Sequence, residues 1–171
     1  YWLSGHRFSR AVKGFFTVPV PEKEPEAYCQ ALVDIAKQKN IDLFVPVSSP
    51  IASYYDSLAK KALEPYCESI HLDPEETAIL DDKYAFCSKA REFGLSAPKV
   101  FRITNSQQIL DFDFANDGSQ YIVKSIPYDS VLRLDLTRLP FPEMAEYVES
   151  LPISESKPWV MQEFIRGQEY C

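Results

Sequence analysis

The 171 residues suffice for one compact domain or two small lobes, and 46% apolar with 25% charged residues exclude a disordered chain. No apolar run approaches the roughly 20 residues that span a bilayer, so neither a membrane segment nor a signal peptide is expected within these residues. A net charge of -7 and a pI near 4.9 argue against a general nucleic-acid binder, yet leave room for a nucleotide held by a few placed cations.

In chain order, "FFTVPV" (15–20) reads as a first strand. Residues 25–39 then carry Tyr28, Leu32, Ile35 and Ala36 at helical spacing, with Pro25 suited to the first turn. "IDLFVPVS" (41–48) is a nearly continuous apolar run, as expected of a strand covered on both faces, and Pro46 marks where it leaves the sheet. Ser49 as N-cap and Pro50 open a helix whose stripe is Ile51, Tyr55, Leu58 and Ala62, and Pro65 stops it. "SIHL" (69–72) is a short third strand. Alternation at this pitch implies an α/β fold with parallel strands joined by right-handed crossovers.

Residues 73–94 read as helical. Asp73, Pro74 and Glu76 form a start signal, "LDDK" (80–83) a break and Gly94 a stop, with Phe86, Ala90 and Phe93 on one face. A lobe boundary is expected at 93–98. Beyond it come a strand "KVFRI" (99–103) and a short helix "NSQQILDF" (105–112) opened by Thr104 or Asn105. A turn "NDGSQ" (116–120), a strand "YIVKSI" (121–126), a helix "PEMAEYVES" (142–150) and a last strand "PWVMQEFI" (158–165) follow.

Only five glycines occur, never close together, so a phosphate-cradling loop and a dinucleotide turn are both absent, as is a G-x-S-x-G elbow. Four cysteines without a C-x-x-C pair, and two histidines, argue against a zinc site and fit reduced thiols in a cytoplasmic protein. His71, in a strand-like segment, reads as a satisfied, partly buried imidazole. Lys124 ends an apolar strand, where an ammonium is costly unless paired. It fits either a strand end that reaches water or a ligand for phosphate. Lys83, at a helix start, reads as a solvated lysine on its own.

In "WVMQEFIRGQEY" the backbone groups of Glu163 and Ile165 point to one edge. A carbonyl at 163 and an N–H at 165 offer an acceptor and a donor at the spacing of adenine's N6 amine and N1. Glu169 follows within reach of ribose hydroxyls, although a plain strand fits the same residues.

Lys83 before a helix, Lys124 ending a strand and "QEFIRGQE" some forty residues later together resemble the ATP-grasp superfamily. The resemblance implies a pre-ATP-grasp parallel α/β (Rossmann-like) domain over 1–92, its first strand lying upstream, and a first ATP-grasp lobe up to the adenine hinge over 93–171. The chain is therefore expected to be a fragment, inactive alone, with the second lobe and its Mg2+ ligands beyond Cys171. More narrowly, "YWLSGHRFSRAV", "SPIASYYDSLAK", "KSIPYDSVLRLDL" and "KPWVMQEFIRGQEYC" resemble the ATP-grasp ligases of cyanobacterial mycosporine biosynthesis.

What the resemblance implies for the site is specific. Lys83 and Lys124 would contact nucleotide phosphates, Gln162, Glu163 and Ile165 would line the adenine pocket, and Glu169 would hold the ribose. The loop after the second lysine is usually glycine-rich; here Ser125, Ser130 and Arg133 are expected to substitute, with Arg133 the candidate catalytic residue. The implied chemistry is ATP-dependent carbon–nitrogen ligation: an acid or vinylogous acid oxygen is phosphorylated and an amine then displaces phosphate. In the narrower branch the pair would be 4-deoxygadusol and glycine. A ligase for another small-molecule pair and a non-catalytic nucleotide-binding module stay open, and the 13% aromatic content leaves a homodimer open.

Overall fold

The computed structural model describes residues 5–47 and 50–168. The chain is a mixed α/β protein that divides into two compact units, Tyr1–Thr77 and Ala78–Cys171. Among the described residues no helix is long and apolar enough to cross a membrane.

In the first unit, α1 (Pro25–Lys39) packs on α2 (Pro50–Leu63), and β1 (Leu43–Phe44) pairs in parallel with β2 (Glu68–Ser69). Pro25 opens α1, and Asn40 in the left-handed region (φ 48°) closes it by donating its N–H to the Ala36 carbonyl. Val33 and Ala36 of α1 meet Ala59, Leu63 and Cys67 in one apolar cluster.

Three expectations are corrected here. Residues 15–20 form no strand: no ladder reaches them, and Phe15, Phe16 and Val20 stay exposed. The run 41–47 supplies only the two residues of β1, and Leu43, Val45 and Val47 are exposed rather than covered. A sheet of two short strands has no neighbours to cover such a run, and Pro46 has no N–H with which to extend it. "SIHL" likewise contributes only Ser69, since Ile70 and Leu72 are exposed.

The buried stripe of α2 is also displaced. Asp56, Ser57, Ala59 and Leu63 face inward, while Leu58 and Ala62 are exposed. The cause is a polar pair: Tyr28 Oη donates to Asp56 Oδ1 at 2.5 Å, holding a carboxylate inside where periodicity alone puts it outside. Ser49, expected to cap α2, lies outside the described residues. α3 (Pro74–Asp81) starts as its sequence suggests, with the Asp73 N–H donating to Glu76 Oε2 at 3.3 Å.

The second unit holds α4 (Lys83–Glu92), β3 (Val100–Ile103), α5 (Gln107–Leu110), α6 (Phe114–Asp117) and β4 (Tyr121–Ser125). β5 (Arg138–Leu139), α7 (Met144–Ser150) and β6 (Trp159–Glu163) complete it. The strands form one antiparallel sheet in the order β3-β6-β4-β5. Gly94 (φ 73°) ends α4 through bonds from its own N–H to Arg91 O and from Leu95 N–H to Ala90 O.

Strand alternation gives this sheet two different faces. Ile103, Tyr121, Val123, Leu139, Trp159 and Met161 form the larger core with Ile109, Phe114, Val148 and Leu151. The opposite face presents Val100 and Val160 to Cys87 of α4. Cys87, not the expected Phe86 and Phe93, is the buried anchor of α4; both phenylalanines are exposed. The turn expected at 116–120 begins later, because Asp113 accepts from the Asn116 N–H and carries α6 through Asp117 to Gly118.

Candidate anion-binding face of the second sheet

β4 alternates Tyr121, Val123 and Ser125 toward the larger core with Ile122 and Lys124 toward the other face. Register extends that second face sideways. Lys124 lies opposite Val160, Ile122 opposite Gln162, and Arg138 opposite Ile122. Lys124, Gln162 and Arg138 therefore share the face on which α4 packs.

α4 brings the second lysine. Asp82 caps the helix by accepting from Tyr84 N–H at 2.8 Å and Ala85 N–H at 3.0 Å. Lys83 is thus the first helical residue, and its Nζ donates to the carbonyl of Ser125 at 3.1 Å and of Ile126 at 3.5 Å. Burial, and then the charge of Lys124, push the Lys83 ammonium below the ordinary lysine range, while Asp82 and Asp81 pull the other way. Lys124 itself is half-buried and, among the described residues, makes no side-chain hydrogen bond or ion pair. Two cations converge on one strand end, and the Lys83 ammonium donates there to backbone carbonyls. Such a pair favours a multiply charged anion.

The other expected site residues are dispersed. Glu163 turns its side chain to the opposite face, where its carboxylate accepts from the Lys99 N–H at 3.0 Å and the Ser119 hydroxyl at 3.2 Å. Ile165 lies past the strand end and is exposed. Ser125 is buried, and its hydroxyl donates to Pro127 O at 2.7 Å. Ser130 and Arg133 are exposed, and neither side chain bonds another described residue. Glu169 lies outside the described residues. His71 Nδ1 sits 3.1 Å from its neighbour's carbonyl, Leu72 O, and 3.5 Å from Thr77 Oγ1, a local arrangement.

The glycine-free loop is organised by two aspartates. Asp129 Oδ1 accepts from the N–H groups of Val131 and Leu132, each at 2.9 Å, and Oδ2 faces Lys157 Nζ at 3.4 Å. Those backbone bonds, Leu132 first, hold its carboxyl below the usual range. Asp135 accepts from Thr137 N–H at 2.9 Å and from Tyr147 Oη at 3.0 Å. Burial, and then this bond, push the Tyr147 hydroxyl up to about 12. Carboxylate-to-backbone bonds thus fix turns that glycine would otherwise permit.

Arg138 and Phe164 were not marked in the sequence as parts of this region. The Asp-x-Val-Leu pattern carried a turn signal; a two-residue strand such as β5 has too little alternation to place Arg138. Among the described residues no group of three or more His, Cys, Asp or Glu side chains could hold a metal ion.

No protein-family model, curated protein or solved structure matches the chain.

Proposed function

We propose that the second unit binds ATP on the Lys83/Lys124 face and that the chain is the nucleotide-binding part of an ATP-grasp ligase. One observation carries this reading: two lysines from distant elements meet at the end of β4 without an acidic hydrogen-bond partner among the described residues. A polyphosphate placed there would receive both ammonium groups and relieve their mutual repulsion. Gln162, on the same face, lies toward the end of β6 where the base would sit.

Bound ATP supplies a phosphoryl group to an acid oxygen of the acceptor. The residues of this chain orient the nucleotide and neutralise phosphate charge, which is the larger part of such catalysis. By resemblance alone, the acceptor is 4-deoxygadusol and the amine glycine, making the full protein a mycosporine-glycine synthase.

The test is Lys124→Ala in the full-length protein. ATP affinity and ATP-dependent turnover are expected to fall at least tenfold; unchanged values would remove the assignment. For the substrates, ADP release with 4-deoxygadusol plus glycine is expected. Release only with a different acid and amine would leave the ligase reading and remove the narrow one.

A further inference from the structure

Residues 163–166 do not leave the sheet where β6 formally ends. The Glu163 N–H donates to Lys99 O at 2.8 Å, and the Phe164 N–H donates to Gln120 O at 2.7 Å. The Arg166 guanidinium donates to Gln120 Oε1 at 2.7 Å. From the far side of β4, Arg138 places its guanidinium carbon 4.0 Å from the centroid of the Phe164 ring.

Register tells which end of a ligand this stack would serve. Lys124 pairs with Val160 and Ile122 with Gln162, so Phe164 continues the series to the level of Gln120. Four residues separate that level from Lys124, about 13 Å along an extended strand. The stack therefore sits at the opposite end of the face from the two lysines.

We propose that Arg138 is a positioning residue for the base end of the nucleotide: by stacking on Phe164 it holds residues 163–166 extended, so that the Glu163 carbonyl and the Ile165 N–H present one edge to a purine. This rests on the reading above that the face binds ATP. Arginine suits the task because its planar guanidinium lies flat on an aromatic ring, whereas a lysine ammonium offers charge without a plane. Phosphate binding does not depend on Arg138, since its guanidinium leans away from Lys124.

The experiment compares ATP with inorganic tripolyphosphate on the full-length protein. Arg138→Ala is expected to weaken ATP about threefold, the size of one exposed cation–π contact, and to leave tripolyphosphate affinity unchanged. Arg138→Lys is expected to behave like the alanine variant. Amide exchange in Arg138→Ala is expected to quicken at Phe164, whose N–H holds the segment to Gln120 O, while Val123 and Met161 keep wild-type protection. Equal loss of both ligands would make Arg138 a phosphate ligand and overturn the inference, as would unchanged ATP affinity or full rescue by lysine. A wild-type protein that binds neither ligand overturns the ATP reading itself, whereas one that binds both without an Arg138 effect overturns only this inference.

Discussion

Lys83 Nζ stands 3.1 Å from the carbonyl oxygen of Ser125, joining the start of a helix to the end of the strand that carries Lys124. The bond spans 42 residues and spends a charged donor on a neutral acceptor, beside a second cation that lowers its proton affinity. A lysine held this way is disfavoured in its charged form and is relieved by an arriving anion.

The sign of the resulting pH dependence is fixed. Between the lowered folded value of Lys83 and the ordinary value of about 10.4, the unfolded chain holds a proton that the folded chain has released. Stability from this group therefore rises with pH across that window. Urea unfolding of wild type and Lys83→Met from neutral pH upward is expected to show the wild type gaining relative to the variant as pH rises. Parallel curves would mean that Lys83 keeps an ordinary proton affinity. Binding of tripolyphosphate in the same window is expected to take up protons in wild type and less so in Lys83→Met, read by calorimetry in buffers of different ionisation heat.

How much of this was legible depends on whether the deciding interaction is local. α1, α7, β3, β4 and β6 were readable because their own residues set them: Pro25 at a first turn, and apolar runs of strand length in "YIVKSI" and "PWVMQEFI". The break before Lys83 was readable for the same reason, since Asp82 caps its own helix. The inward face of α2 was not readable, because Asp56 turns inward only through a tyrosine 28 residues away. Nor was β5, whose two residues are strand only because Tyr121 and Ile122 lie beside them. Of the candidate site, Lys83, Lys124 and Gln162 were nameable in sequence, but their common face exists only through strand register. The Arg138–Phe164 stack needs that register as well, and no local pattern announces it.

Asp129 is expected to act as the fastening of the loop after β4. Replacing it by alanine removes one acceptor shared by two backbone N–H groups and is expected to loosen the loop. Asp129→Asn keeps a carbonyl oxygen at the same position and is expected to keep the loop fastened. Exchange of the Val131 and Leu132 amides reports the change directly: faster in the alanine variant, near wild type in the asparagine variant. If alanine leaves both amides as protected as before, the side chain does not organise the loop.

The Tyr28–Asp56 pair makes a sharper case, because its two partners are not interchangeable in cost. Asp56 is 1% exposed, and among the described residues its Oδ2 has no hydrogen-bond partner, so the hydroxyl of Tyr28 at Oδ1 is what its carboxyl group has there. Burial, and then that bond, raise the Tyr28 hydroxyl far above the ordinary tyrosine range, which keeps it a donor throughout neutral and mildly alkaline pH. Tyr28→Phe strands both oxygens and is expected to cost roughly 3 kcal/mol, the scale for a buried acceptor left unpaired. Adding Asp56→Leu removes the stranded group and fills a similar volume, so the double variant is expected to be more stable than Tyr28→Phe alone. Urea denaturation of the two variants checks the order. A double variant less stable than the single one would show that Asp56 contributes through contacts other than the Tyr28 bond.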